Sequence, residues 1–525
     1  MLLNIPRNLL YTVIIFCIVG FYNDLQLMFF STLPVAMENI INSTISRYGK
    51  EPNSMSISLL TSAMNSVGSI GTVIGIFFFL PISDQRGRKF VCVHIRSYCG
   101  LFSSFFYLVS AYFESAEFFI LAEFVYGAQL PVRFFATSVF VSESSPDQCR
   151  GFATFALMVG SALANMVMFS LATPSLFGSP NSWFVFPLTT LILSVICFFL
   201  LLRIHESPKW LIRQKRFEEA ERAIEFYHGK NVNKDEILYS MVREKNLTIS
   251  KKLSLKQIVN DDTLWEAFKI VGFVYAFILI SPNTAEGVYM ASLNTTAGLT
   301  IEQTLTVLLV FSIIFLPGPL IGTFLIDKLG RRKMVFFTGF VMISKTWILT
   351  TTLTCSEVFG TSVLTRISVI FTDMIGNLQH VIGINSIGPL LISELFPQAA
   401  RTSVGQLFTL IGVFSYIPSV IVFPIIDAIF TPIFFVPFMF LQPIFLYFLY
   451  KKLPETKLRS VADIIESLDD VVTSRRNTYL NEKSPLIKDR AITFSTKRGS
   501  IIKTQRKRSK TMDYKKLDLN DVIIF

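Results

Sequence analysis

Charge is scarce in this chain. Of its 525 residues only 16% are Asp, Glu, Lys or Arg, where a water-soluble protein carries about a quarter. With 51% hydrophobic residues and 52 Phe, that deficit excludes a soluble globular protein and leaves lipid as the main solvent. Histidine is rarer still, at four. The six cysteines (Cys17, Cys92, Cys99, Cys149, Cys197 and Cys355) lie in or beside apolar runs, without metal or disulfide-framework spacing. A nucleotide-binding loop is missing, and so is any nucleophile–base constellation. An ATP-driven pump and an enzyme are therefore set aside, and no cofactor and no metal is expected. The apolar/polar alternation of a membrane barrel strand is missing too.

What the chain does hold is a series of apolar runs of about 20 residues, enough for a helix to cross roughly 30 Å of hydrocarbon. Twelve fall near 9–31, 58–82, 91–112, 118–141, 152–173, 182–203, 266–291, 303–326, 334–354, 364–393, 402–426 and 430–450. The fold class expected is an all-α membrane protein with about twelve transmembrane helices in two six-helix, pseudo-symmetric halves. Residues 1–203 make the first half, 204–265 a cytoplasmic linker with helical segments, 266–450 the second half, and 451–525 a tail that is largely disordered beyond about 470. The first run, about Leu9 to Pro34, is too long for a removable signal peptide and lacks a cleavage site.

The net charge of +11 does not mark a nucleic-acid binder, because the basic residues sit between spans and in the tail. Arg86, Arg88, Lys89, Arg150, Arg331, Arg332, Lys333 and Arg401 occupy alternate short loops, while the other loops hold Glu38, Glu114, Glu117 and Glu357. The positive-inside rule then places both termini in the cytoplasm. Asn42-Ser-Thr and Asn294-Thr-Thr fall outside as glycosylation acceptors, and Asn246-Leu-Thr falls inside.

The chain also repeats itself. Asp84-Gln-Arg-Gly87-Arg88-Lys89 follows span two, and Asp327-Lys-Leu-Gly330-Arg331-Arg332-Lys333 follows span eight. Glu143, seven residues before Arg150, closes span four, as Glu394 before Arg401 closes span ten. Glu206-Ser207-Pro208 follows span six, and Pro454-Glu455-Thr456 follows span twelve. The offsets are 327−84 = 243, 394−143 = 251 and 455−206 = 249. Three motifs in one order at nearly constant offset describe a duplicated six-span unit, with a site between its halves. Gly87 and Gly330 permit sharp reversals, and the carboxylates and guanidinia around them can form a ring of ion pairs on the cytoplasmic face. Such a ring would be closed when the halves meet there and broken when they part. Each exposed pair contributes only about 0–1 kcal/mol, which suits a balanced two-state latch.

These motifs resemble those of the sugar porter family of the major facilitator superfamily, over about residues 10–470. Glu206-Ser-Pro-Lys-Trp-Leu is similar to its Pro-Glu-Ser-Pro-Arg signature, with His205 replacing the first Pro, and Leu453-Pro-Glu-Thr-Lys matches the closing signature. Organic-ion transporters share several of these motifs, though usually with a longer, Cys-rich first outer loop. The resemblance implies a transporter working by alternating access, with spans one, four, seven and ten lining a cavity. Where the family contacts sugar, this chain departs: Leu279-Ile-Ser-Pro-Asn283 replaces a glutamine-rich run, Met158 a Gln and Pro389 a Trp, and Glu123 stands where the family has Arg.

Those four spans carry a different polar set: Asn23 and Asp24, Glu123 and Arg133, Asn283 and Glu286, and Asp373, Asn377 and His380 on one helical face. An ionised group at mid-membrane costs about 2.5–3.5 kcal/mol, so such residues face a cavity or a partner. Asp24 and Glu123 fall at similar depth and are expected to form a shared proton or cation site, unless Glu123 sits at the interface and Arg133 pairs locally. Pro282 and Pro389 should kink their helices. A helical pattern from Trp210 to Phe226 opens the linker, lying flat beneath the membrane. In the tail, Glu482-Lys-Ser-Pro-Leu486-Ile487 fits an acidic dileucine signal for clathrin adaptors, and the basic stretch Lys497 to Lys516 can touch anionic lipid.

The partners expected are therefore a small polar solute, the lipid bilayer and protons. The solute is a sugar or polyol by resemblance, or an organic cation by the acidic cavity. A transport-inactive nutrient sensor of the same fold is the alternative of a different kind. The plasma membrane is expected, with endosomal or lysosomal membranes as the other location.

Overall fold

A computed structural model describes residues 6–49, 51–229, 234–247, 254–318, 328–382, 388, 391–392, 394–396 and 398–455. It is helical throughout, with no strand among the described residues. Among the described residues, six helices are long and apolar enough to cross a membrane: Arg7–Thr32, Ser54–Arg86, Ala116–Ser144, Arg331–Phe359, Ser403–Asp427 and Pro432–Lys452. They serve as spans one, two, four, nine, eleven and twelve. Between them run span three (a π-helical stretch Phe90–Ile95 continuing as Arg96–Phe113), span five (Asp147–Leu171), span six (Val185–Leu201), span eight (Ile301–Ile314) and span ten (Val363–Ile382). Span seven is broken. It runs Asp262–Leu279, stops at Ser281-Pro282, and resumes as Asn283–Val288 and Met290–Thr296, since Pro has no N–H to continue the ladder.

Local chemistry sets the starts. Asn53 with Ser56 and Thr300 with Gln303 form capping boxes that open spans two and eight. Gly87 and Gly330 take φ of +110° and +92° at equivalent points of the two repeats, a region glycine enters without a Cβ penalty. Beside each lies a carboxylate of the signature motifs. Glu206 accepts from Lys89 N at 2.9 and 3.0 Å. Glu455 accepts from Arg331 N at 3.0 Å and Arg332 N at 3.3 Å. Each signature glutamate therefore satisfies the free N–H groups where a span begins, an acid at the positive end of a helix.

Lipid removes the hydrophobic drive between spans, so close approach matters more. Spans two and four touch backbone to backbone: a Cβ at Gly127 would overlap the carbonyl oxygen of Gly68. Gly127→Val should therefore cost about 3 kcal/mol or more and collapse the monodisperse peak on size-exclusion chromatography. A native-like peak and melting temperature would refute this packing.

Two differences from expectation follow local geometry. The loop after span one folds as a helix, Pro34–Arg47, tied down where Arg47 donates to Phe113 O at 2.7 Å and Ser43 to Glu114 at 2.8 Å. The linker pattern is two helices, Pro208–Arg213 and Phe217–His228, because Lys215 takes a left-handed φ of +61° between them. Lys234–Leu247 and Leu255–Asn260 follow.

Among the described residues, buried apolar side chains gather in five clusters: two built on the first half, two on the second and one among the linker helices around Trp210, with Leu305 of span eight joining a first-half cluster. The halves meet at the end opposite the Lys/Arg-rich turns. There Ser58 and Ser62 of span two donate to Pro424 O and Ile421 O of span eleven at 3.0 Å each, and Phe30 packs edge-on to Tyr289 at 6.2 Å.

Candidate functional site

The polar set of the spans comes together as two clusters, one in each half. In the first, Asp24 of span one forms a two-pronged ion pair with Arg133 of span four. Both side chains are buried, and Arg133 also donates to Ser161 of span five at 3.0 Å. Arg133 sits in a π-helical turn, Val132–Ala136, where one extra residue re-phases the helix; such turns recur at functional sites. Asn23 is buried beside Asp24.

The expected Asp24–Glu123 pair is corrected here. Glu123 instead accepts a hydrogen bond from Tyr107 of span three at 2.8 Å, and Asp24 is held by Arg133. A buried carboxylate gains far more from a guanidinium in low dielectric than from a second acid, so each acid has its own donor.

The second cluster contains a residue the sequence reading missed. Lys345 of span nine, 9% exposed, forms an ion pair with Glu286 of span seven and donates to Asn283 Oδ1 at 3.4 Å. Nearby, Asn294 donates to Asp373 of span ten at 2.7 Å. Asn377 donates to the carbonyl of Asp373, one turn back on its own helix, at 3.0 Å. A lysine inside the apolar run of span nine was the available signal. The repeat supplied another: Arg96, 2% exposed and donating to Thr137 at 3.0 Å, lies 345−96 = 249 residues earlier. That is the offset of the signature glutamates.

At the basic end, Arg88 lies 2.9 Å from Asp84 and 3.3 Å from Glu143. Glu143 also accepts from Ser207 at 2.6 Å, and Pro208, beside it, opens the linker helix. In the other half Arg331 pairs with Glu394 at 2.9 Å, and Arg401 donates to Phe396 O at 2.9 Å. Among the described residues, Asp84, Arg88, Glu143 and Ser207 make one latch at this end, in the first half and its linker, and Arg331 and Glu394 make another in the second half. Burial pushes the pKa of Glu206 up, although the N–H groups of Ser207 and Lys89 pull it down.

A family described as sugar (and other) transporter matches residues 12–468. The chain belongs to that family. It is a multi-pass membrane transporter with the major facilitator fold. Relatives include sugar transporter ERD6 of Arabidopsis thaliana, 24% identical over 78% of this chain and 80% of that one. Facilitated glucose transporter member 7 of Mus musculus is 24% identical over 80% and 81%. The proton myo-inositol cotransporter hmit-1.2 of Caenorhabditis elegans is 26% identical over 50% and 44%. Among solved structures, the inward-open xylose transporter XylE of E. coli superposes with a TM-score of 0.66 at 15% identity, covering 88% of this chain and 99% of that one.

One expected modification of this transporter is corrected. Asn294 is 1% exposed and its amide nitrogen is bonded to Asp373, so the atom a glycan would use is occupied inside the protein. Asn42 lies on the first outer-loop helix. Enzymatic deglycosylation should shift the gel mobility of the wild type and of Asn294→Gln equally, and leave Asn42→Gln unshifted. Loss of the shift in Asn294→Gln would overturn this reading. His380 belongs to span ten, but its side chain lies outside the described residues, as do the Arg150 side chain, Asp327, Pro389, Thr456, Glu482, Leu486 and Ile487.

Proposed function

We propose that this transporter carries a small polar solute, a sugar or polyol first, by alternating access coupled to a proton at Asp24. The observation that carries the coupling is the buried Asp24–Arg133 ion pair between spans one and four. Protonating Asp24 removes the charge that holds Arg133 and frees both side chains to change partners, so proton arrival and helix rearrangement are linked. Donors and acceptors for hydroxyl groups come from Asn283, Asp373, Asn377 and Glu123, in place of the glutamine-rich run of sugar porters. The named substrates of the relatives (glucose, xylose and myo-inositol) are uncharged polyhydroxylated molecules, and hydroxyls suit amide and carboxylate partners.

The test is a counterflow screen of purified protein in liposomes across sugars, polyols and organic ions, with and without an inward proton gradient. Saturable exchange of a polyol, accelerated into accumulation by the gradient, is expected. Binding without flux for every solute would favour a sensor instead. One observation favours an organic cation as the second reading. Among the described residues, the two clusters and their surroundings hold four carboxylates (Asp24, Glu123, Glu286, Asp373) against three cations (Arg96, Arg133, Lys345), a balance of 3−4 = −1, and Glu123 and Asp373 have neutral hydrogen-bond donors. The plasma membrane remains our proposed location, with the Glu482 to Ile487 segment as an adaptor signal.

A further inference from the structure

A cavity of about 500 Å³ opens at the basic end of the first half. Its walls are the turn between spans two and three, the end of span six and the two linker helices. Four cations face it: Arg86, Lys89, Arg203 and Arg216. Two acids face it as well, and both are committed elsewhere. Glu206 caps the backbone of Lys89, and Glu219 is held in a two-pronged contact by Arg216 at 2.7 and 2.6 Å. The balance is 4−2 = +2.

Arg86 and Arg203 are exposed, and no carboxylate pairs with either among the described residues. Arg86 has only the Phe90 ring, at 5.5 Å. Lys89 Nζ donates to the carbonyl of Leu202 at 3.2 Å, and burial pulls its pKa below the ordinary lysine value although the charge of Glu206 pushes it up. Two guanidinia without a carboxylate partner and a lysine near only the already engaged Glu206, at a preformed concave site, are arranged for an anion that presents several oxygens to guanidinium forks.

The setting selects which anion. Beside the cavity, spans three and six expose Tyr98, Phe199 and Leu202, and Tyr98 packs on Phe198 at 5.5 Å. Aromatic side chains turned outward at the basic end of a membrane bundle lie where acyl chains begin. We infer that this cavity binds the phosphate-bearing headgroup of an anionic lipid, with Arg86, Lys89 and Arg203 on the phosphate oxygens and the acyl chains along Tyr98 and Phe199. Basic pockets at the ends of membrane helices take such headgroups, helped by the attraction of anionic leaflets for Lys and Arg. Occupancy would tie the linker to the turn that carries Arg88, bracing the latch of the first half.

The test uses the purified full chain in detergent micelles, titrated with dioleoyl phosphatidylinositol 4-phosphate or dioleoyl phosphatidylcholine and read by native mass spectrometry. Retention of the phosphoinositide at least tenfold tighter than phosphatidylcholine is expected. Arg86→Gln/Arg203→Gln should lose about tenfold or more of that affinity. Arg86→Lys/Arg203→Lys should keep most of it, and an unchanged melting temperature in both variants shows that the fold survives. Equal retention of the two lipids, or full retention by the Gln variant, overturns the inference. Soluble inositol 1,4-bisphosphate binding as tightly as the lipid overturns the lipid as occupant. None of these readouts depends on transport.

Discussion

Asp24→Asn should abolish gradient-driven accumulation while leaving counterflow within a few-fold of wild type. Asparagine keeps the size and one acceptor oxygen, so Arg133 retains a hydrogen bond and its contact to Ser161 at 3.0 Å. What disappears is the ability to take up a proton and release the guanidinium. Uncoupling without loss of exchange is therefore the signature to seek. Under either reading the loss of counter-charge beside Arg133 should lower the melting temperature, costing up to about 3–5 kcal/mol in a buried pair, whereas a structural role alone would lower both activities together. The measurement is solute uptake into liposomes under an imposed pH gradient, beside counterflow in symmetric buffer. Accumulation by Asp24→Asn equal to wild type would remove Asp24 from the coupling step.

The second large effect belongs to the other half. Lys345→Met should destabilise the protein by about 3–5 kcal/mol, since Glu286, 6% exposed, is left as an uncompensated buried charge. Glu286→Gln should cost a similar amount. The double variant should recover much of the stability, because two neutral side chains of similar volume carry a far smaller desolvation penalty than one unpaired charge. Thermal unfolding in detergent reads all three. Additive losses in the double variant would mean the two side chains act independently. If the double variant is stable yet shows no counterflow, the pair serves the solute rather than the fold. Asn283, bonded to Lys345 at 3.4 Å, supplies the route for that effect.

The membrane-spanning character, the duplicated halves and the motif turns were legible from residue types and spacing. Lipid imposes a long apolar run, and duplication leaves constant offsets. The roles of the signature residues were less legible. That Glu206 and Glu455 cap the starts of spans three and nine beside positive-φ glycines depends on elements more than a hundred residues apart. Lys345 was less legible because it lies on span nine, outside the four spans that the family resemblance implies line the cavity.

The pairing of the buried charges was decided in three dimensions. Sequence put Asp24 and Glu123 at one depth but said nothing of their rotation about the helix axes. The π-turn at Val132–Ala136 and the backbone contact of Gly127 with Gly68 set which way span four presents its side chains. Asp24 then meets Arg133, and Glu123 meets Tyr107. Which end of the bundle is closed was likewise hidden, since both states use one set of residues and differ only in which surfaces touch. Hydropathy and repeat spacing are properties of the chain read along its length, and they carried the architecture. Partner choice in a low-dielectric interior depends on ångström distances between helices, and only the folded bundle supplies those.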